Sequence, residues 1–114
     1  MIYYHNPRCS KSREGLKLLE SSKKQFKVKL YLSEELLYSE IEDLLDKLQI
    51  DPKELIRKKE KIIEEKGIDL KNMTKKEIIL AILEYPILIE RPILVSKDKA
   101  VIGRPPEIIN SILK

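Results

Sequence analysis

Ile2-Tyr3-Tyr4 forms a short apolar run that Asn6-Pro7 interrupts, the pattern of a strand running into a turn. From about Ser10 to Ser21 the spacing becomes helical, with Gly15, Leu16 and Leu19 on the inner side. Phe26, Val28, Leu30 and Leu32 then alternate with polar residues and predict a second strand of period two. Three helix starts follow. Ser39 is placed to cap a helix whose Ile41, Leu44, Leu45 and Leu48 fall at i, i+3, i+4 and i+7. Asp51-Pro52-Lys53-Glu54 offers an N-cap, a proline at the first helical position and a capping-box glutamate, and Gly67 ends that stretch. Thr74-Lys75-Lys76-Glu77 is another capping signal, ahead of Ile78, Ile79, Ile82 and Leu83, and Tyr85-Pro86 stops the helix.

The last third changes character. Ile93-Leu94-Val95 and Ala100-Val101-Ile102 are apolar runs joined by Ser96-Lys97-Asp98-Lys99, which reads as a hairpin. Pro105-Pro106-Glu107 opens a closing helix with Ile108, Ile109, Ile112 and Leu113 on one face. The order is thus βαβ, then helices, then ββα. It predicts an α/β protein of thioredoxin-like layout: a four-stranded mixed sheet, one domain over 1–114, and a helical insertion over about 39–85. In that layout Cys9 is expected exposed at the sheet's edge beside the first helix, with a proline, Pro92, close to it.

Composition narrows the class. A chain of 114 residues builds one modest core. Its single cysteine allows no internal disulfide. The start lacks the basic and apolar regions of a signal peptide, and no apolar run reaches the roughly 18–20 residues that span a bilayer, so the cytoplasm is the expected location and no membrane partner is expected. The net charge of +4 is spread as lysines interleaved with glutamates, as in Arg57-Lys58-Lys59-Glu60-Lys61, which reads as a solvated face. With only 5% aromatic residues and no Trp, nucleic acid is not an expected partner.

The candidate chemistry centres on Cys9, in Tyr4-His5-Asn6-Pro7-Arg8-Cys9-Ser10-Lys11-Ser12-Arg13. Unpaired amides and the helix dipole at a helix start favour an anion, and with nearby cations they draw a free thiol from a pKa of ~8.5 to roughly 3.5–7.5. The alternative is a structural cysteine acting as a small hydrophobe, but its neighbours are polar and charged. Five of the 23 basic residues are arginine: Arg8, Arg13, Arg57, Arg91 and Arg104. A guanidinium grips an oxyanion through two parallel bonds, whereas an isolated surface arginine usually just pairs with a carboxylate. One Cys and one His cannot close a metal site, so no metal is expected.

Four segments together resemble the glutaredoxin-coupled arsenate reductases and their short homologues: the Cys9 loop with Ser12-Arg13, Leu55-Ile56-Arg57-Lys58, Tyr85-Pro86-Ile87-Leu88-Ile89-Glu90-Arg91-Pro92-Ile93, and Gly103-Arg104-Pro105-Pro106-Glu107. The resemblance covers essentially the whole chain. It implies Cys9 as the nucleophile on arsenate and Arg57, Arg91 and Arg104 as the residues around the oxyanion. His5, Asn6, Ser12, Arg13 and Pro92 are then supporting residues, with His5 and Ser12 setting the state of the thiol. It also implies no bound cofactor, glutathione as co-substrate, and glutaredoxin as the protein that reduces the Cys9–glutathione disulfide. Lacking a second cysteine, the chain must rely on an outside thiol to release its adduct.

Three other readings use the same residues. A glutathione-dependent thiol-disulfide reductase would direct the arginines at glutathione's carboxylates. A Spx-type regulator would bind RNA polymerase, but the cysteine pair usual in such switches is replaced here by Cys9 and Ser12. A non-catalytic remnant would hold an unreactive thiol. His5 and Ser12 each also have a structural reading, in holding the loop and in capping the helix.

Overall fold

The computed structural model describes residues 1–113 and divides the chain into two compact units, Met1–Glu35 with Arg91–Lys114, and Leu36–Glu90. The first unit holds the sheet. Strands β1 (Ile2–Tyr4), β2 (Lys27–Lys29), β3 (Ile93–Val95) and β4 (Ala100–Ile102) lie in the order β2-β1-β3-β4. β1 and β2 run parallel, as the crossover through helix α1 (Ser10–Ser21) requires, while β1–β3 and β3–β4 are antiparallel. The register sets Tyr3 beside Leu94 and Leu94 beside Val101. On that face Tyr3, Leu94, Leu19 of α1 and Ile109 form a buried core, with Leu16, Phe26, Val101 and Ile112 packed around it. The mixed sheet with its crossover helix is the predicted thioredoxin-like arrangement.

β1, α1, β3 and β4 have the expected bounds. The second strand is shorter than the alternation Phe26–Leu32 predicts, because the Leu30 amide leaves the ladder to bond Glu34 Oε2 at 2.8 Å and the chain turns there. As an edge strand, β2 leaves Val28 40% exposed, so its period-two pattern marks a half-covered face. The closing segment is a 3₁₀ turn (Pro106–Ile109) running into helix α5 (Asn110–Leu113). Ile109 is buried, while Ile108 faces outward.

The second unit is helical, with α2 (Tyr38–Leu48), α3 (Lys61–Glu65) and α4 (Lys75–Glu84) and three 3₁₀ turns. α2 packs on α4 through buried positions that include Ile41, Leu44, Leu45, Ile78, Ile79 and Ile82. Ser39 is not the cap of α2: the N-cap is Leu37, and the carboxylate of Glu40 closes the helix start by accepting the Leu37 N–H at 3.2 Å. Asp51 does cap, accepting the Lys53 N–H at 2.9 Å, but the turn it opens is 3₁₀ and ends at Leu55. There Ile56 pairs with Ile89 in an isolated bridge, so the stretch toward Gly67 is interrupted and resumes as the five-residue α3. The Thr74–Glu77 box forms in both directions, at 2.9 and 3.2 Å. Among the described residues no helix is long and apolar enough to cross a membrane.

Candidate active site

Cys9 is the N-cap of α1, in an extended backbone conformation that turns the chain from β1 into the helix. The turn is self-bonded. Cys9 N–H donates to Asn6 O at 3.0 Å, Arg8 N–H to Asn6 Oδ1 at 3.0 Å, and the Arg13 guanidinium to Pro7 O at 2.9 Å. Asn6, 4% exposed, is therefore the residue that shapes the loop. The thiol stands at the start of α1, beyond the end of β1, and is half-buried where an exposed position was expected.

Three features of the first unit converge on the sulfur. The amides of Lys11 and Ser12, in the first turn of α1, point at it. The guanidinium of Arg91, a buried side chain, donates a hydrogen bond to it. Arg104 places a guanidinium nitrogen 3.6 Å from Sγ, and its Nε donates to Arg91 O at 2.7 Å. Partial burial pushes the thiol up, but the Ser12 amide, the Arg91 guanidinium, the Lys11 amide and the Arg104 charge together outweigh it and hold Cys9 below its ordinary value. Two arginines are thus brought to the cysteine as the sequence predicts. Arg57 is carried by the second unit, where its amide donates to Leu88 O at 2.6 Å and its Nε lies 3.5 Å from Glu60 Oε1.

His5 and Ser12 act through one another. Ser12 Oγ accepts the Asn6 N–H at 2.9 Å and lies 2.7 Å from His5 Nδ1. Burial and, secondarily, the charge of Arg13 hold the His5 pKa below its ordinary value, so the ring is neutral at pH 7 and Nδ1 shares one hydrogen bond with the Ser12 hydroxyl. His5 therefore positions Ser12, whose amide faces the thiol.

Tyr3 escaped the sequence reading. It is fully buried in β1, and its hydroxyl donates to Ser12 O at 2.6 Å, clamping the same turn from below. The signal was available: a tyrosine in a core strand needs a partner for its O–H. Pro92, joined to Arg91 by a cis peptide bond, lies near Gly15 of α1 and Gly103. The Arg104-Pro105 bond is also cis. Pro92 thus packs against α1 and against the residue that follows β4.

Because only the thiolate alkylates, the rate of Cys9 modification by iodoacetamide is expected to rise with pH about a midpoint below ~8.5, and to return to that value in denaturant. A native midpoint at or above the denatured one contradicts the arrangement just described.

The fold and site define a thioredoxin-like protein whose single thiol is activated at a helix start by two guanidiniums. Residues 4–112 match the ArsC family, and the chain belongs to it. It is 42% identical over 114 residues to an arsenate reductase of Haemophilus influenzae, covering 99% of this chain and 98% of that one. Among solved structures, an arsenate reductase from Vibrio cholerae superposes with a TM-score of 0.92 at 37% identity, covering 97% and 95% of the two chains. A putative arsenate reductase from Yersinia pestis does so with a TM-score of 0.89 at 40% identity, covering 96% and 97%.

Proposed function

We propose that the protein reduces arsenate to arsenite through a Cys9 thiol–arsenate adduct resolved by glutathione and glutaredoxin. The observation that carries this reading is the pair of guanidiniums on Cys9 Sγ, Arg91 by hydrogen bond and Arg104 at 3.6 Å, a site suited to a thiolate and an incoming oxyanion together.

In this mechanism the Cys9 thiolate attacks the arsenic of H₂AsO₄⁻. One oxygen leaves as water after taking up a proton, and Cys9–S–AsO₃H⁻ remains. As sulfur loses its charge, the guanidiniums of Arg91 and Arg104 follow it onto the arsenate oxygens, an electrostatic role worth about 2.7–4 kcal/mol for one such donor. Arg57 keeps the oxyanion role that the family resemblance implies. Glutathione thiolate then attacks the Cys9 sulfur. The S–As bond breaks with its electron pair staying on arsenic, which goes from As(V) to As(III). With two protons it leaves as H₃AsO₃, and a Cys9–glutathione disulfide forms. A glutaredoxin thiolate takes the glutathionyl group and frees Cys9. No bound cofactor takes part; the electrons come from thiols. Such chemistry belongs in the cytoplasm, where thiols are kept reduced.

The test is NADPH-coupled turnover of arsenate with glutathione, glutaredoxin and glutathione reductase, comparing wild type with Cys9→Ser. Turnover that saturates with arsenate and is abolished in the variant supports the reading. Absence of arsenate turnover in a wild type whose thiol still alkylates rapidly at pH 7 transfers the site to a glutathione-dependent thiol-disulfide reductase of another substrate.

A further inference from the structure

On the first unit lies an open groove of about 410 Å³ between α1 and the segment after β4. Lys11, Glu14, Lys17 and Leu18 form one wall, and Pro105, Pro106 and Glu107 the other. Nothing in the mechanism above uses these side chains. Both walls are nonetheless tied to Cys9: the Lys11 amide points at the sulfur, and Pro105 follows Arg104, whose guanidinium lies 3.6 Å from it.

We infer that this groove seats the glutathione that resolves Cys9. The inference rests on a glutathione-linked thiol chemistry and adds to it the place where the tripeptide binds. Its volume falls within the range of small-ligand sites. Lys11 and Lys17 are six residues apart on α1, a rise of about 9 Å, close to the roughly 10 Å of an extended tripeptide. Glutathione carries a carboxylate at each end and one ammonium, and the groove offers two lysines and two glutamates. Lys11 and Glu14 already form an exposed pair at 3.6 Å, an interaction weak enough to exchange for a ligand's charges. Leu18 and the two prolines give apolar surface for the γ-glutamyl methylenes. Lys11 is nearest the sulfur in sequence, so the tripeptide lies with one carboxylate there and the other at Lys17, its ammonium facing Glu107.

The seat can be tested without arsenate. Cys9 thiolate attacks one sulfur of oxidised glutathione, the S–S bond breaks, the Cys9–glutathione disulfide forms and one glutathione thiolate leaves. The rate of this exchange is compared with that for bis(2-hydroxyethyl) disulfide, which has the same reactive bond and no charges. Lys17→Glu is expected to slow the glutathione reaction roughly three- to fivefold, the weight of one exposed ion pair, and Lys17→Arg to restore it. The uncharged disulfide should react at one rate with all three proteins. Titration with S-methylglutathione, which cannot exchange, should shift the backbone amide resonances of residues 11–18 and of Glu107 in the wild type. Equal effects of Lys17→Glu on both disulfides, no effect on either, or shifts centred elsewhere would overturn the inference. Retained glutathione selectivity in a protein that leaves arsenate untouched would instead overturn the arsenate reading and keep the seat.

Discussion

Replacing Arg91 with alanine is expected to cut kcat/KM for arsenate by about 10²–10³-fold and to move the Cys9 alkylation midpoint upward. Arg91 is 6% exposed, so its guanidinium meets the sulfur in a water-poor setting where one charge-assisted bond counts for more than at the surface. Removing it takes one of the contributions that outweigh burial and leaves the thiol nearer its ordinary value. Fewer molecules then hold thiolate at neutral pH, and those that do have lost a donor for the arsenate oxygens. The two losses separate experimentally: raising the pH restores the thiolate and recovers only part of the rate. Arg91→Lys should recover little, since an ammonium lacks the planar fork that holds sulfur and oxyanion together. Steady-state kinetics across pH, with circular dichroism to confirm the fold, checks this. Unchanged kcat/KM in a folded Arg91→Ala protein would refute the role.

Gly15→Ala is expected to destabilise the protein by about 1–3 kcal/mol and to slow Cys9 alkylation. Alanine in a helix interior is ordinarily favoured over glycine by about 1 kcal/mol, so the sign depends on what the added methyl meets. Here it would strike the Tyr3 hydroxyl, with Tyr3 Cζ at 3.3 Å and Pro92 Cγ at 3.4 Å. Tyr3 is fully buried and bonded to Ser12 O, and Pro92 is buried too, so neither is a flexible end that swings aside. The methyl therefore pushes on the turn that presents the Ser12 amide to the thiol. Thermal denaturation should show Tm lowered by several degrees, about 4–8 °C for each kcal/mol in a domain of 60–100 residues and somewhat less here. A raised Tm would mean that the helix preference wins and the contact is not tight.

Much of this was legible in the chain, for identifiable reasons. β1, α1, β3 and β4 have apolar spacing and breakers that agree, and the Thr74–Glu77 box carries its own geometry in the residue types. Where local signals competed, the reading slipped. Glu40 displaced Ser39 as the group closing α2, and Glu34 took the Leu30 amide out of the second strand. For the site, residue type was informative: in a lysine-rich chain Arg91 and Arg104 are arginines, and both reach Cys9. What sequence could not show is who acts through whom. His5 looks like a neighbour of the thiol but bonds Ser12, and Tyr3, read only as an apolar strand residue, holds the same turn.

The bond from Arg104 Nε to the main-chain oxygen of residue 91 has a consequence for how this site can change over time. The aim of one guanidinium is set by the backbone that carries the other, so the two behave as a single hinged clamp. Residues that meet at one sulfur in this way need not contribute independently, and a double-mutant cycle measures how far they couple. Because that oxygen belongs to the main chain, which every residue at 91 supplies, a lineage that loses the Arg91 side chain still keeps Arg104 aimed at the sulfur, whereas a shift of the backbone there disturbs both.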